Sequence, residues 1–280
     1  MEKYRSIFIS DVHLGTKNCK SDYLLDFLQE TDSEYLYLVG DIFDLIQFGR
    51  KFFWTSKQGQ IVGEIVKKAQ TGTRVVYIPG NHDAVLREIT GNSILGIEIK
   101  ASDEHVMADG RRFFVSHGDE FDTEVRFNRV LHFVGDHGYT LLLNLSRYLN
   151  RIRGFFGKPY WSLSSWLKHR FNDANVYIDK FESVAAETAL QNEYQGYICG
   201  HIHKAGIRQI DGVLYCNDGD WVEHCTALTE SHDGTLQLIH WSETSRIEAA
   251  EENIEKEAPC YAGIGEAGWA NKTYAADAQR

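Results

Sequence analysis

The first hundred residues alternate short apolar runs with longer amphipathic segments. The apolar runs at 6–10, 35–39 and 75–78 have the length of buried strands. The segments 22–29 and 57–70 carry apolar residues at helical spacing. Strands that alternate with helices in this way predict βαβ units and a mainly parallel sheet.

The second half of the chain shows hairpin signals instead. The pairs Asp109-Gly110, Asp211-Gly212 and Asp233-Gly234 each separate two β-prone runs. Asp-Gly between such runs is typical of a two-residue hairpin turn. The apolar runs at 112–116 and 197–199 also predict strands.

Residues 125–171 differ from both of these patterns. They have helical periodicity, ten aromatic residues, and eight basic residues against one acidic residue, a local net charge of +7. After residue 243 the chain becomes rich in Ala and Glu, and then in Gly and Ala. We therefore predict one domain over residues 1–243 that contains a helical cap insertion at 122–175, followed by a C-terminal tail at 244–280.

Composition and charge restrict the class of protein. The 280 residues are 43% hydrophobic and 25% charged, which is typical of a globular enzyme and excludes a largely disordered chain. With 29 basic and 40 acidic residues, the net charge of −11 disfavours attraction of the whole surface to nucleic acid or anionic lipid. Five cysteines without a C-x-x-C pair predict reduced structural thiols. Without a signal peptide or an apolar stretch of about 18 residues, we expect a cytoplasmic protein.

Each of five strand-like runs ends in a polar cluster. In chain order these clusters are Asp11-Val12-His13, Gly40-Asp41-Ile42-Phe43-Asp44, Gly80-Asn81-His82-Asp83, Ser116-His117-Gly118-Asp119 and Gly200-His201-Ile202-His203. Ligand sites of α/β sheets gather beyond the carboxyl ends of the strands, so five such clusters predict one convergent site. Each motif alone is a weak signal, but all five together are a strong one.

The donor set of this site favours a metal centre. It combines carboxylate, amide and imidazole groups without a thiolate, which suits Mn, Fe or catalytic Zn. Seven candidate ligands are too many for one tetrahedral ion and suit two ions that share a carboxylate. The seven are Asp11, His13, Asp41, Asn81, His117, His201 and His203.

Together the five motifs resemble the signature of the calcineurin-like metallophosphoesterase superfamily, over residues 7–203. The resemblance implies an α/β fold, a four-layer αββα sandwich of two mixed β-sheets flanked by helices. It implies hydrolysis of phosphate esters or anhydrides with two divalent metal ions, with Mn preferred here and Fe or Zn as alternatives. It places Asp11, His13, Asp41 and His203 around the first ion, and Asp41 (bridging), Asn81, His117 and His201 around the second.

The same resemblance implies roles for further polar residues. His82 would protonate the leaving group or contact the phosphate, and Asp83 would orient His82; these two are the predicted catalytic residues. Asp44 and Asp119 are expected to hydrogen-bond to the ligands rather than to bind metal. We take His224, which belongs to none of the five motifs, as structural.

Within the superfamily the chain resembles the UDP-2,3-diacylglucosamine hydrolases, which also carry a helical insertion before the final G-H-x-H motif. Arginines suit phosphate geometry, and an aromatic helix face beside them suits acyl chains or a membrane interface. The expected substrate is a lipid-linked pyrophosphate, and the insertion is expected to contact the inner membrane face. The predicted substrate-binding residues are Asn81, His82, Asp122, Arg126, Arg129, Lys168 and Arg170.

Two alternatives stay open. The lipid hydrolases have an arginine where this chain has His82, so the resemblance supports a two-metal phosphoesterase more strongly than it supports this substrate. The first alternative is a soluble phosphodiesterase or phosphatase of nucleotides or nucleic acid, because basic residues interleaved with aromatics also suit single strands. The second is a metal-binding scaffold without turnover. Nucleic acid is the weaker choice for this acidic chain, and the oligomeric state is left open.

Overall fold

The computed structural model describes residues 2–46, 52–123, 150, 153 and 172–244. Most of the predicted cap insertion and nearly all of the tail lie outside these residues, so the predicted domain boundaries stay a prediction. The strands are β1 (Glu2–Ile9), β2 (Thr31–Val39), β3 (Arg74–Ile78), β4 (Ser93–Ile94), β5 (Ile97–Ile99), β6 (Asp103–Val106), β7 (Arg112–Val115), β8 (Gly196–Cys199), β9 (Gly206–Ile210), β10 (Val213–Asn217), β11 (Thr226–Glu230) and β12 (Leu236–His240). The α-helices are α1 (Ser21–Glu30), α2 (Ser56–Gln70), α3 (Asn172–Gln191) and α4 (Trp241–Thr244), and 3-10 helices cover Ala84–Ile89 and Asp119–Thr123.

The first sheet has seven strands in the order β12-β11-β1-β2-β3-β5-β4. Its centre, β1, β2, β3 and β5, is parallel, as the alternation of strands and helices predicts. Ile9 lies opposite Leu38, and Val39 lies opposite Ile78. The three strands therefore end at nearly the same level, and the polar motifs that follow them start side by side.

The second sheet has five strands in the order β6-β7-β8-β10-β9. Strands β7, β8 and β10 are parallel to one another, and the two edge strands are antiparallel to their neighbours. The three predicted hairpins are confirmed, because each Asp-Gly pair lies between two antiparallel strands. Asp211 and Gly212 both have positive φ, which a tight hairpin turn of this kind requires.

Three apolar layers hold four structural layers together. One layer packs α1 and α2 on the outer face of the first sheet, with Leu24 and Ile61 among its buried residues. A second lies between the sheets, where Phe8 meets Phe113 and Ile198. A third packs α3 on the second sheet. The predicted αββα sandwich is confirmed.

None of the helices in the described ranges combines the length and the apolar character needed to cross a bilayer.

Candidate metal centre

The loops that follow β1 and β2 are joined by backbone hydrogen bonds. Asp11 N donates to Gly40 O over 3.1 Å, and His13 N donates to Asp41 O over 2.9 Å. Leu14 N donates the next hydrogen bond of this backbone ladder, which thereby extends beyond the sheet. The first two motifs thereby lie against each other with their side chains facing one space.

Five of the seven predicted ligands have a left-handed backbone. The residues and their φ angles are Asp11 (50°), His13 (52°), Asp41 (53°), His201 (68°) and His203 (52°). Residues other than glycine adopt this region rarely and at a cost of about 1–3 kcal/mol each. Such strain concentrates at functional sites, and here it turns the side chains of three separate loops towards one point.

Gly80 shows how closely the third motif approaches the first two. A Cβ atom on Gly80 would lie 2.3 Å from Asp41 Oδ1 and 2.7 Å from the His117 ring. Nothing larger than hydrogen fits there. His82 N, two residues later, donates to Asp41 Oδ1 over 2.8 Å. The glycine is therefore a packing requirement of the centre.

Among the described residues, three groups of side chains each offer ligand atoms within 4.8 Å of one another. They are Asp11, His13 and His203; His13, Asp41 and His82; and Asp11, Asp41 and His117. The groups overlap, because Asp11, His13 and Asp41 each belong to two of them. The arrangement suits two neighbouring ions, in which the shared carboxylates lie between them.

The donor atoms of this cluster fit cations. Asn81 Oδ1 and His117 Nε2 are buried and have no hydrogen-bond partner within the described part of the chain, and Asp11 Oδ1 faces His203 Nε2 over 3.0 Å. Buried polar atoms are nearly always paired, so unpaired ligand-type atoms on the loops of the centre fit a bound cation. An amide oxygen, a carboxylate oxygen and an imidazole nitrogen all suit Mn, Fe or Zn.

The protonation equilibria of the cluster show its excess of negative charge. Burial opposes ionisation of Asp11, but His203, whose Nε2 lies 3.0 Å from Oδ1, lowers the pKa of Asp11 to about 2. Burial likewise disfavours the cation of His117, yet the Asp41 carboxylate 3.5 Å away raises the pKa of His117. The protonated His117 imidazole thus supplies positive charge beside the Asp41 carboxylate.

His82 lies beside this cluster and close to Asp44. Its ring centroid is 4.6 Å from that of His13, and its Nδ1 is 3.3 Å from Asp44 Oδ1. Asp44 Oδ2 also lies 3.6 Å from His13 Nδ1. Asp44 therefore lies within ion-pair distance of two imidazoles, a position that suits the supporting role predicted for it.

Asp83 has a different position from the one predicted for it. Its carboxylate accepts hydrogen bonds from the backbone N–H groups of Gly80 (2.6 Å) and Ile42 (2.9 Å) and from the Tyr77 hydroxyl. It joins the loop after β2 to the loop after β3, and the carboxylate beside His82 is that of Asp44. The expectation that Asp83 orients His82 directly is therefore wrong. Asp119 also differs from expectation, because it pairs with Arg87 at 2.7 Å.

His201 and Asp122 face each other at the edge of the centre. His201 Nε2 lies 2.8 Å from Asp122 Oδ1, which also accepts a hydrogen bond from the Tyr177 hydroxyl. The ring centroids of His201 and His117 are 5.1 Å apart. The structure thus places this predicted ligand next to a predicted substrate-binding residue. The other predicted substrate contacts, Arg126, Arg129, Lys168 and Arg170, lie outside the described residues.

Sequence reasoning missed the layer behind Asp11. Ser10 and Asp218 are fully buried there, and Trp221 N donates to Asp11 O over 3.1 Å. The signal available was the polar sequence 217–220 directly after an apolar run. In the same loop Asp220 accepts a hydrogen bond from Val222 N and contacts His224 Nδ1, so His224 is tied to this loop.

Comparison with known proteins gives a family match over most of the chain. The family model described as calcineurin-like phosphoesterase matches residues 4–205. A UDP-2,3-diacylglucosamine hydrolase of Blochmanniella pennsylvanica is 26% identical over 223 residues, which cover 73% of this chain and 81% of that protein.

Two solved structures from microorganisms match this chain. One is YfcE, a phosphoesterase from E. coli, with 13% identity, a TM-score of 0.42, and coverage of 84% of this chain and 98% of that chain. The other is a hypothetical protein of Pyrococcus horikoshii, with 10% identity, a TM-score of 0.45, and coverage of 85% and 87%. These two similarities say nothing about a substrate.

Proposed function

Because the chain belongs to the calcineurin-like phosphoesterase family, we propose that it uses two divalent ions to hydrolyse a lipid-linked pyrophosphate such as UDP-2,3-diacylglucosamine. Its general activity, metal-dependent hydrolysis of phosphoesters, follows from the family. The observation that carries the two-ion part is the overlap of three metal-competent groups at Asp11, His13 and Asp41.

The residues of the centre divide into ligands and a proton donor. Asp11, His13, Asp41 and His203 would hold one ion, and Asp41, Asn81, His117 and His201 would hold the other. Bound divalent ions at such a site activate water and neutralise phosphate oxygens.

His82 is suited to donate a proton to the leaving group. Its side chain is 31% exposed, whereas those of His117 and Asp41 are nearly inaccessible, so it can meet a substrate that enters from solvent. The Asp44 carboxylate lies beside Nδ1, so we assign the proton donation to Nε2.

Two observations support an apolar group on the substrate. The curated relative is named for a diacylated sugar nucleotide. In addition, large apolar side chains are exposed close in sequence to the centre: Ile46 lies two residues after Asp44, and Val85 lies three residues after His82, in the 3-10 helix Ala84–Ile89. Phe52 is exposed as well and lies against Gly15, two residues from His13. Exposed apolar side chains grouped at a polar site are typical of binding surfaces.

The substrate proposal is tested by comparing acylated and unacylated substrates. We expect the Mn²⁺-loaded enzyme to hydrolyse UDP-2,3-diacylglucosamine with a kcat/KM at least tenfold above that for UDP-glucosamine, bis(p-nitrophenyl) phosphate and a dinucleotide. The variant Phe52→Ser/Val85→Ser should lose at least tenfold on the acylated substrate alone, since it removes two apolar contacts that each contribute about 1.5–3 kcal/mol at full burial and a fraction of that at partial burial.

Leu190→Ser is the matched control. Leu190 is also exposed, but it lies at the end of α3, just before the start of β8 and away from the centre. Equal turnover of all substrates would contradict the lipid proposal, and a preference for the dinucleotide would favour the nucleotide alternative. Absence of hydrolysis of every phosphoester would contradict the catalytic assignment itself.

A further inference from the structure

Behind the metal centre, three buried oxygen-bearing side chains form a row. Asp11 and Ser10 come directly after β1, and Asp218 comes directly after β10. All three have no exposed surface. The row therefore runs from the centre into the space between the ends of the two sheets, where water does not compete for its hydrogen bonds.

Ser10 is the middle member and is close to three acceptors. Its Oγ lies 2.7 Å from Asp11 Oδ2, 2.5 Å from Asp218 Oδ1 and 3.2 Å from Gly219 O. A serine hydroxyl has one hydrogen to donate and two lone pairs that accept. If both carboxyl groups were ionised, at least one short O···O contact would have no hydrogen in it. One of the two acids must therefore donate to Ser10.

Asp218 is the acid that carries this hydrogen. Asp11 Oδ2 already accepts a hydrogen bond from the backbone N–H of His201 over 2.8 Å, and Asp11 Oδ1 lies 3.0 Å from His203 Nε2. Both contacts favour the ionised form of Asp11. Asp218 Oδ2, in contrast, is buried and has no hydrogen-bond partner within the described residues, which an ionised carboxylate tolerates poorly. Burial also raises the pKa of Asp218 well above its ordinary value.

We propose that neutral Asp218 donates to Ser10, and that Ser10 in turn donates to Asp11, so that this hydrogen-bond chain fixes the Asp11 carboxylate with Oδ1 towards the metal. Asp218 is then a positioning residue that acts through Ser10. This inference rests on the metal centre of the proposed function, since it explains how one ligand of that centre is oriented.

Gly200 closes the remaining side of the row. A Cβ atom on Gly200 would lie 2.1 Å from Ser10 Oγ and 2.6 Å from Asp11 Oδ2. The backbone of the G-H-x-H loop thus packs directly on the hydrogen bond between Ser10 and Asp11. Neither side chain can rotate into that space, and the hydrogen bonds from the Asp218 side hold the Asp11 carboxylate together with the backbone N–H of His201.

The experiment measures Mn²⁺ binding to the metal-free full-length protein by isothermal titration calorimetry. Asp218→Asn keeps a donor for Ser10 through its amide NH₂, and we expect an affinity close to that of the wild type. Asp218→Ala and Ser10→Ala break the chain and should each weaken the affinity of one site by about 10–100-fold. Because Ser10→Ala and Asp218→Ala break the same hydrogen-bond chain, the double variant Ser10→Ala/Asp218→Ala should lose little more Mn²⁺ affinity than either single variant.

Ser6→Ala is the matched control. Ser6 lies four residues before Ser10 and donates to another buried carboxylate, Glu230 Oε2, over 2.6 Å. Ser6→Ala should lower the melting temperature without changing Mn²⁺ affinity. If Asp218→Ala does not fold, Ser10→Ala and Asp218→Asn still carry the test.

Two results would overturn the inference while leaving the proposed function intact. One is wild-type Mn²⁺ affinity in Ser10→Ala or Asp218→Ala. The other is a loss in Asp218→Asn as large as in Asp218→Ala, which would show that Asp218 acts as a negative charge. If the wild-type protein bound no Mn²⁺, Co²⁺ or Zn²⁺, the metal centre and the inference would both fail.

Discussion

The residues of the metal centre combine buried charge with a strained backbone. Asp11 and Asp41 are buried carboxylates with left-handed φ angles, and neither feature stabilises the fold by itself. When cations bind the two carboxylates, they neutralise the buried charge, and the free energy of binding offsets the cost of both features. Metal binding should therefore stabilise the protein as well as activate it.

At this scale, two substitutions separate metal binding from catalysis. Asp41→Ala removes a carboxylate that belongs to two of the three metal-competent groups, so we expect loss of metal and of activity together. His82→Ala removes the proton donor, so we expect full metal content and a kcat about 10²–10⁴-fold lower. Elemental analysis of the purified variants, alongside kcat measured in excess Mn²⁺, distinguishes these outcomes.

His82 also belongs to a metal-competent group with His13 and Asp41, so the metal content of the His82→Ala variant is informative. If His82→Ala lost metal, His82 would be a ligand and not the proton donor. If His82→Ala kept wild-type turnover, it would have no part in the reaction. His232→Ala, an exposed histidine that pairs with Glu34 on the surface, is the control.

At the scale of elements, short loops after strands hold the centre, and hydrogen bonds from loop to loop keep them in register. Asp83 shows this most clearly. It comes from the third motif but binds backbone N–H groups of residues that follow β2. The motif pattern predicted that Asp83 belongs to the site, yet its partners are mostly backbone N–H groups, which a residue pattern does not reveal.

Asp83→Asn is expected to loosen these loops. One carboxylate oxygen becomes an NH₂ group that faces N–H donors, so a buried acceptor is lost at a cost of about 1–3 kcal/mol. We expect a lower melting temperature for the metal-free protein, together with weaker Mn²⁺ binding, because Asp41 moves with its loop. An unchanged melting temperature would show that Asp83 does not join the loops.

At the scale of the whole molecule, the two sheets are joined by a polar cluster as well as by apolar packing. Glu230 on β11 is fully buried and accepts hydrogen bonds from Arg5 (2.8 Å) and Ser6. Across the interface, His105 Nε2 lies 2.8 Å from the same carboxylate, and Ala108 N donates to it. The cluster therefore fixes the position of the second sheet on the first.

This cluster predicts a pH dependence of stability. Burial opposes ionisation of Glu230, but the contacts with His105, Ser6 and Ala108 outweigh burial and lower its pKa from 4.5 to about 2. A carboxyl whose pKa is lower in the folded state stabilises that state above the unfolded pKa. The contribution of Glu230 should thus be complete above about pH 5 and disappear as the pH falls from 4.5 towards 2.

The measurement compares wild-type protein with Glu230→Gln by urea unfolding in the presence of a chelator. At pH 7 we expect the variant to be less stable by about 1–3 kcal/mol, and at pH 3 the difference should be much smaller. Other carboxyl groups titrate in both proteins and cancel in the comparison. A difference that stayed constant between pH 7 and pH 3 would contradict the assignment.

The parallel strands, the hairpins and the candidate ligands of the centre are all predicted by local signals in the sequence. Strand and helix periodicity, Asp-Gly turns and polar motifs at strand ends are local signals, and each is visible within about ten residues. The order of the motifs also determined the family, because the chain carries all five at the ends of apolar runs.

Contacts between these groups depend on the three-dimensional packing of the loops. Asp44 rather than Asp83 lies beside His82, Asp119 pairs with Arg87, and Ser10 and Asp218 lie behind Asp11. Ser10 and Asp218 are 208 residues apart, and their contact depends on how the ends of the two sheets meet. Sequence patterns report the face and the end of an element, whereas hydrogen-bond partners between loops follow from packing in three dimensions.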